Sequence, residues 1–422
     1  MMEENRIVLE ENKTRSESIR FKLSSLTWSR GISNFYLEDI PYSFSTGLSF
    51  TDRLSDLISI FDNLTENAGE DKDRDLRLCE VGSGLGLFSK HVMDFMKSKY
   101  PDIYDRLSFL VTEYSTEMVD EFEEREVFES HVEKFSCRSM DLMNPDFTVQ
   151  NCPHLFFLNY VVDAMPARHI EVEDGQIYEI RITTSIDESA VFVDHSTMPP
   201  ECLDADGIAD LLASDDYERQ LILSRRISGV LKETYVRVPI EDLDDMGQDE
   251  YDDLVAFVGD MNLVKKIRFN YAFCLKSIFQ QFFDQMPNHS GLVIYDFGYL
   301  DIDTCPKESK MVSSYGVTIF FSVYFNYLIR CANAIGFHPI NICFNEGRSQ
   351  LMVMAKSTQA DQIEAQVKAL FPNIGFEKEH KVVDHIKAID RNDANYLTII
   401  KENMATLSDL DKKSYYLLIN IA

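Results

Sequence analysis

Apolar residues at Leu54, Leu57, Ile58, Ile60 and Phe61 recur at the spacing of a helix face, so Phe50 to Leu64 is expected to be helical. A charged, glycine-containing linker, Asn67 to Asp75, leads into a short β-type run, Leu76 to Val81. The cluster Gly82-Ser83-Gly84-Leu85-Gly86 breaks the apolar pattern, and Leu87 to Ser98 resumes it with helical period. Leu107 to Glu113 is apolar up to its last residue, and a Glu-rich helical stretch follows. A third short strand falls within 132–142, ending near Asp141, and a fourth at His154 to Asn159 around Leu155-Phe156-Phe157-Leu158. Strands apolar on both faces and alternating with helices predict an α/β fold, a mostly parallel sheet with helices on either side.

Further along, Glu171-Val172-Glu173 and Gln176-Ile177-Tyr178 flank Asp174-Gly175, the signature of a hairpin. From about Pro199 to Pro287 the pattern turns to long acidic helical segments with no clear strand except Tyr235 to Val238. The sheet is expected to resume at Leu292 to Tyr295, with a helix over Phe321 to Ile335 and a late strand at Gln350 to Ala355. This divides the chain into a helical lead-in and cover (1–70), a core (71–198 and 288–360), an acidic helical cap inserted at 199–287, and a mostly helical end (361–422).

A length of 422 residues suits two or three domains at about 150 residues each. The net charge of −30 argues against nucleic acid, whose phosphates are bound through clustered Lys and Arg, and favours a basic protein, peptide or small cation as partner. The 8 cysteines are scattered, with no CxxC pair and no metal-ligand spacing, which suits reduced core thiols. No run of about 18 apolar residues occurs, so no membrane-spanning helix is expected. With no apolar leader at the start, a cytoplasmic protein is the expectation.

The candidate chemistry gathers at the strand ends. Glu80-Val81-Gly82-Ser83-Gly84-Leu85-Gly86 follows a strand and opens a helix, where glycines let a ligand approach the backbone and the positive helix end. No Gly-Lys-Ser/Thr follows, so the turn is not a P-loop. Glu80 presents a carboxylate that suits an ammonium and repels a phosphate. Glu113, ending the next strand, is placed to bind both ribose hydroxyls, and Asp141 either accepts from an adenine amino group or caps the helix before Leu142. Together these groups fit S-adenosylmethionine better than a nicotinamide dinucleotide, since no pyrophosphate needs a site.

The fourth strand ends in Asn159-Tyr160-Val161-Val162-Asp163-Ala164-Met165-Pro166. With the glycine turn and Glu113, this Asn-x-x-x-Asp-Ala-x-Pro element resembles the MidA-like family. Its members are class I S-adenosylmethionine-dependent methyltransferases and include a mitochondrial complex I assembly factor acting on a protein arginine. Phe44-Ser45-Thr46 is similar to the family's Asp-Phe-x-Thr segment, and Tyr295-Asp296-Phe297-Gly298 to its Ile-Asp-Tyr-Gly strand, so the resemblance spans roughly 40–355. It implies a Rossmann-like core with a seven-stranded sheet and S-adenosylmethionine as cofactor, held by Glu80, Gly82, Ser83, Gly84, Gly86, Glu113, Asp141 and Thr46. It also implies arginine as acceptor. The sequence departs from the family at Tyr160, where a Glu is usual, and at Thr318 to Phe325, where apolar residues replace a His and an Asp.

For catalysis, Asn159 offers an amide to orient a nitrogen acceptor, and Asp163 a carboxylate to pair with a guanidinium or take a proton. Tyr160 and Tyr295 are walls or hydrogen-bond donors, or simple packing, and Asp296 is a further acid. Asp163 would alternatively cap a helix before Ala164. His169 and His195 read as structural. The acidic run from Glu241 to Asp253 either steers a basic substrate or forms a solvated face. Two functions follow: a methyltransferase acting on a nitrogen of a protein or peptide, or a catalytically inactive methyltransferase fold serving assembly. A nicotinamide-dependent oxidoreductase is the weaker third.

Overall fold

A computed structural model describes residues 6–28, 47–67, 74–84, 86–124, 127–187, 227–261, 266–300, 311–315, 317–344 and 348–371. In chain order it holds β1 (Arg6–Lys13), α1 (Ile19–Trp28), α2 (Leu48–Asn67), β2 (Leu76–Val81), α3 (Leu87–Lys99), α4 (Pro101–Asp105), β3 (Leu107–Glu113) and α5 (Thr116–Glu124). Then come β4 (Phe135–Ser139), β5 (Leu155–Asn159), β6 (Arg168–Glu173), β7 (Gln176–Asp187), β8 (Leu231–Pro239), α6 (Gln248–Asp260), β9 (Ile267–Tyr271) and α7 (Leu275–Gln285). The last elements are β10 (Ser290–Tyr299), β11 (Val312–Tyr315), β12 (Thr318–Phe321), β13 (Val323–Tyr324), α8 (Phe325–Ile335), β14 (His338–Phe344), β15 (Ser349–Lys356) and α9 (Ala360–Leu370). The chain folds into two compact units.

One unit comprises Gly31–Asn159, Gln281–Tyr295 and Gly336–Ala422. Its sheet has the strand order β4-β3-β2-β5-β10-β15-β14, seven strands as the resemblance implied. The first five run parallel, with Glu80 opposite both Val111 and Phe157, and Asn159 opposite Tyr295. Leu78, Phe109, Phe156, Phe157, Val293 and Ile294 are wholly buried, which explains the continuous apolar strands. Leu54, Leu57, Ile58 and Phe61 of α2 are buried as their helical spacing predicts. Parallel strands all end at the same edge, and there the glycine turn, Glu113 and Asn159 fall on neighbouring strands.

The other unit comprises Met1–Arg30, Tyr160–Gln280 and Asp296–Ile335. Its sheet runs β1-β7-β6-β9-β13, with β8 also on β7 and the last residues of β10 on β13. The hairpin at Asp174-Gly175 forms as expected, both residues at positive φ (53° and 79°). Gly298 is required here because a Cβ would collide with the Val323 carbonyl of the neighbouring strand.

Several expectations are corrected. The described part of 227–287 is less helical than expected: β8 contains the one strand foreseen there, Tyr235 to Val238, and β9 is a second that was not foreseen. The lead-in is not only helical, since Arg6–Lys13 pairs with β7. The segment 71–198 is not one core: the unit boundary falls at Asn159, and residues 160–187 belong to the second sheet. Of the expected cap, 199–226 lies outside the described residues, as do Thr46, His195 and the end of the chain from 372.

Candidate functional site

The site's frame is the parallel-sheet unit. At the end of β2, Gly82, Gly84 and Gly86 all have positive φ (65°, 56° and 70°), a conformation costly to any residue with a Cβ. The turn is pinned by Ser83 N–H donating to the Thr112 carbonyl (3.1 Å) and Gly86 N–H to the Ser83 carbonyl (3.0 Å). Gly86 is the residue from which α3 begins.

Glu80 is 2% exposed. Ser89, in the first turn of α3, donates to its Oε2, and Asn159 Nδ2 lies 3.5 Å from its Oε1. Burial pushes this carboxyl up to about 8, against the pull of the Ser89 and Asn159 donors. Glu113 is also buried; it accepts from the Gly84 amide and from its own neighbour, the Tyr114 amide (3.1 Å). Burial raises it to about 7, less than Glu80 because those two amides favour the anion. Two acid groups and a glycine amide are therefore joined at adjacent strand ends, as the sequence implied.

Two buried atoms at this edge, Ser83 Oγ and Asn159 Oδ1, have no hydrogen-bond partner among the described residues. A buried polar atom without a partner costs about 1–3 kcal/mol, so each of these two calls for a water or a ligand atom beside it. The set fits an adenosyl amino acid. Glu80 in its anionic form suits the ammonium, Glu113 the ribose hydroxyls, and the open glycine backbone the close approach; nothing here would welcome a pyrophosphate.

Asp141 does not present a free carboxylate. It is exposed, and its oxygens accept from the Met143 amide (2.9 Å) and the Asn144 side chain (3.3 Å), closing a local turn; no helix begins at Leu142, so the expected helix cap is not formed either. Tyr295 is fully buried between Phe50 and Phe344, so it packs. The sequence reading missed Ser89, although its place in the first helical turn below a strand-end Glu was a usable signal. It also missed Phe128, which lies against Gly86 and has no local signal.

The remaining candidates belong to the antiparallel-sheet unit. Tyr160 has φ 55°, rare for a bulky side chain, and its ring lies 4.9 Å from that of Phe297. Asp163 caps no helix; it sits within the short turn Val162–Ala164 and is 1% exposed. It faces Asp296, whose Oδ2 accepts from the Asp163 amide (3.1 Å) and whose Oδ1 accepts from the Phe297 amide (2.7 Å). Burial and the Asp296 charge raise Asp163 well above the carboxylate range, and burial takes Asp296 to about 7. The Asp163 carboxyl is thus enclosed, with neither oxygen hydrogen-bonded among the described residues, and burial beside the Asp296 charge favours its protonated form. His169 is buried and driven down to about 3 by desolvation, with Arg15 and Arg268 adding to the shift, so it stays neutral.

Thr318, Ile319, Phe320, Phe321, Val323, Tyr324 and Phe325 are all buried in β12, β13 and the start of α8. Their apolar character is a packing requirement, and the departure there says nothing of catalysis. The acidic run is neither wholly steering nor wholly solvated: Asp245 pairs with Arg181 (2.5 Å), and Asp253 accepts from Tyr271 and Tyr327 (3.0 Å each).

A family model described as "Putative S-adenosyl-L-methionine-dependent methyltransferase" matches residues 58–312. No curated protein matches. Among solved structures, a Burkholderia thailandensis protein bound to S-adenosyl-homocysteine is similar at 9% identity and TM-score 0.49, over 80% of this chain and 87% of that one. An uncharacterized protein from the same organism gives 10% and 0.47, over 82% and 95%. Human N-acetylserotonin methyltransferase in complex with its cofactor gives 11% and 0.32, over 82% and 68%. Among the described residues no helix is long and apolar enough to cross a membrane.

Proposed function

The chain belongs to this family of S-adenosylmethionine-dependent methyltransferases, and from that premise we propose that it methylates a nitrogen on a protein or peptide side chain. When bound, the cofactor supplies an electrophilic methyl group and its own leaving group. The residues supported for holding it are Glu80, Gly82, Ser83, Gly84, Gly86 and Glu113. The observation that carries this reading is the pairing of Glu80 with Asn159 and of Glu113 with the Gly84 amide at neighbouring strand ends, with Ser83 Oγ and Asn159 Oδ1 buried and without a partner among the described residues.

Asn159 is the group we assign to orienting the acceptor. Its Nδ2 is directed to Glu80, which leaves the Oδ1 carbonyl as an acceptor for an N–H. Alignment of the nucleophile supplies much of the acceleration in such displacements, so one fixed amide has a large effect. The −30 charge supports a basic protein or peptide as substrate, and the MidA-like resemblance supports arginine. A cytoplasmic setting is in keeping with the scattered cysteines. The assembly-only alternative loses its main support, because the apolar 318–325 segment is core.

Calorimetry with S-adenosylhomocysteine is expected to show micromolar binding by the wild-type chain and none by Gly84→Asp. Radiolabelled cofactor with cell lysate is then expected to label a protein band, and Asn159→Ala to lose that label. Absence of binding by folded wild-type protein would refute the enzyme; label only on a small molecule would refute the protein acceptor.

A further inference from the structure

Away from the ligand groups, the parallel-sheet unit contains a relay of three side chains, Tyr104 and His131 buried and Asp94 half-buried. The Tyr104 hydroxyl lies 2.8 Å from His131 Nδ1, and His131 Nε2 lies 2.9 Å from Asp94 Oδ1. With both nitrogens engaged, the ring cannot turn without losing a partner. Asp94 is anionic, held down to about 2 by hydrogen bonds and charge from His131 and Lys90 that outweigh its burial, and Lys90 Nζ lies 2.7 Å away. The His131 side chain is 1% exposed, so replacing it would strand the buried Tyr104 hydroxyl.

The three residues come from different pieces of chain. Asp94 and Lys90 lie on α3, Tyr104 on α4, and His131 on the short helical turn Glu129–Lys134. That turn begins at Phe128, whose carbonyl accepts from the His131 amide at 2.8 Å. Phe128 stacks on Phe135 with centroids 4.0 Å apart and packs against Gly86, where a Cβ would come within 2.8 Å of its ring. Gly86 starts α3, the helix that carries Asp94. A closed circuit results: α3 holds His131, His131 holds Phe128, and Phe128 bears on the residue that begins α3.

We propose that the Tyr104–His131–Asp94 relay positions the cofactor loop, by fixing Phe128 against Gly86. The relay needs no contact with the ligand. It limits the loop to the left-handed backbone that places the Ser83 and Gly84 amides, so the loop does not spend binding free energy on ordering itself. His131, Asp94 and Phe128 are thus positioning residues, and the inference rests on the cofactor assignment above.

The test compares S-adenosylhomocysteine affinity by calorimetry across His131→Ala, the milder Tyr104→Phe and Phe128→Ala. Val367→Ala, a cavity variant in α9 at a fully buried position, serves as the control for general destabilisation. His131→Ala and Phe128→Ala are expected to weaken binding about 10-fold, Tyr104→Phe about 3-fold. The KM for cofactor should rise while kcat changes less than 2-fold, and Val367→Ala should bind normally despite a lower Tm. In addition, Gly86→Ala should be rescued in part by Phe128→Ala, since the smaller side chain removes the collision. Wild-type binding with unchanged affinity in the relay variants, or equal weakening in Val367→Ala, would overturn the positioning role alone. Failure of the wild type to bind would overturn it together with the cofactor assignment.

Discussion

At the scale of single residues, the decisive quantity is the protonation of Glu80. Burial raises it to about 8, so near neutral pH the ligand-free carboxyl is mainly protonated, whereas an ammonium requires the anion. Binding must therefore release a proton below pH 8, and affinity is expected to rise from pH 6 towards pH 8, by at most about tenfold per unit. Calorimetry in two buffers of different ionisation heat measures that proton directly. Glu80→Gln imitates the protonated state and should lose at least 10-fold in affinity together with the pH dependence. A flat wild-type profile would show that Glu80 does not face the ammonium. Glu80, the three glycines and Glu113 were legible in the sequence because each is dictated locally, by a strand end or a forced backbone angle. The fate of Asp141 was not, because a turn-closing acid and a ligand-binding acid are the same residue type in the same place.

At the scale of elements, the turn Val162–Ala164 is tied to β10 by the Asp163 amide donating to the Asp296 carboxylate, with the Asp163 carboxyl buried beside it. Asp163 and Asp296 both have folded-state pKa values above those of an unfolded chain. The folded form therefore holds extra protons. The stability they contribute is complete below about pH 4 and is lost as pH rises through about 7. The ligand-free protein should accordingly show a lower Tm at pH 9 than at pH 6. Asp163→Asn keeps N–H donors toward Asp296 at every pH and should flatten part of that fall, by roughly 1 kcal/mol or more. A variant as pH-sensitive as the wild type would show that Asp163 does not contribute to the fall. Element identity followed the hydrophobic pattern wherever burial was two-sided, as in β2, β3 and β5. That pattern found part of β8 at Tyr235 to Val238 and missed β14, although the alternating burial of Ile340, Ile342 and Phe344 is a strand's period of two.

For the molecule as a whole, the net charge of −30 acts at long range and independently of fold detail. Capture of a basic peptide should weaken with ionic strength. The kcat/KM for a Lys- and Arg-rich acceptor is expected to drop at least 5-fold between 50 and 500 mM salt, with the cofactor KM little changed. Salt-independent turnover would separate substrate recognition from this field. The sequence by itself determined the α/β alternation, the glycine turn and the acid groups at the strand ends, because these depend on neighbours along the chain and on two-sided burial. Only the tertiary structure decided that 160–187 and 227–280 build a second sheet, that Asp163 is enclosed with Asp296, and that His131 reaches Gly86 through Phe128. Those outcomes rest on contacts between residues far apart in the chain, and a carboxyl group's protonation or a glycine's necessity is set by what packs against it.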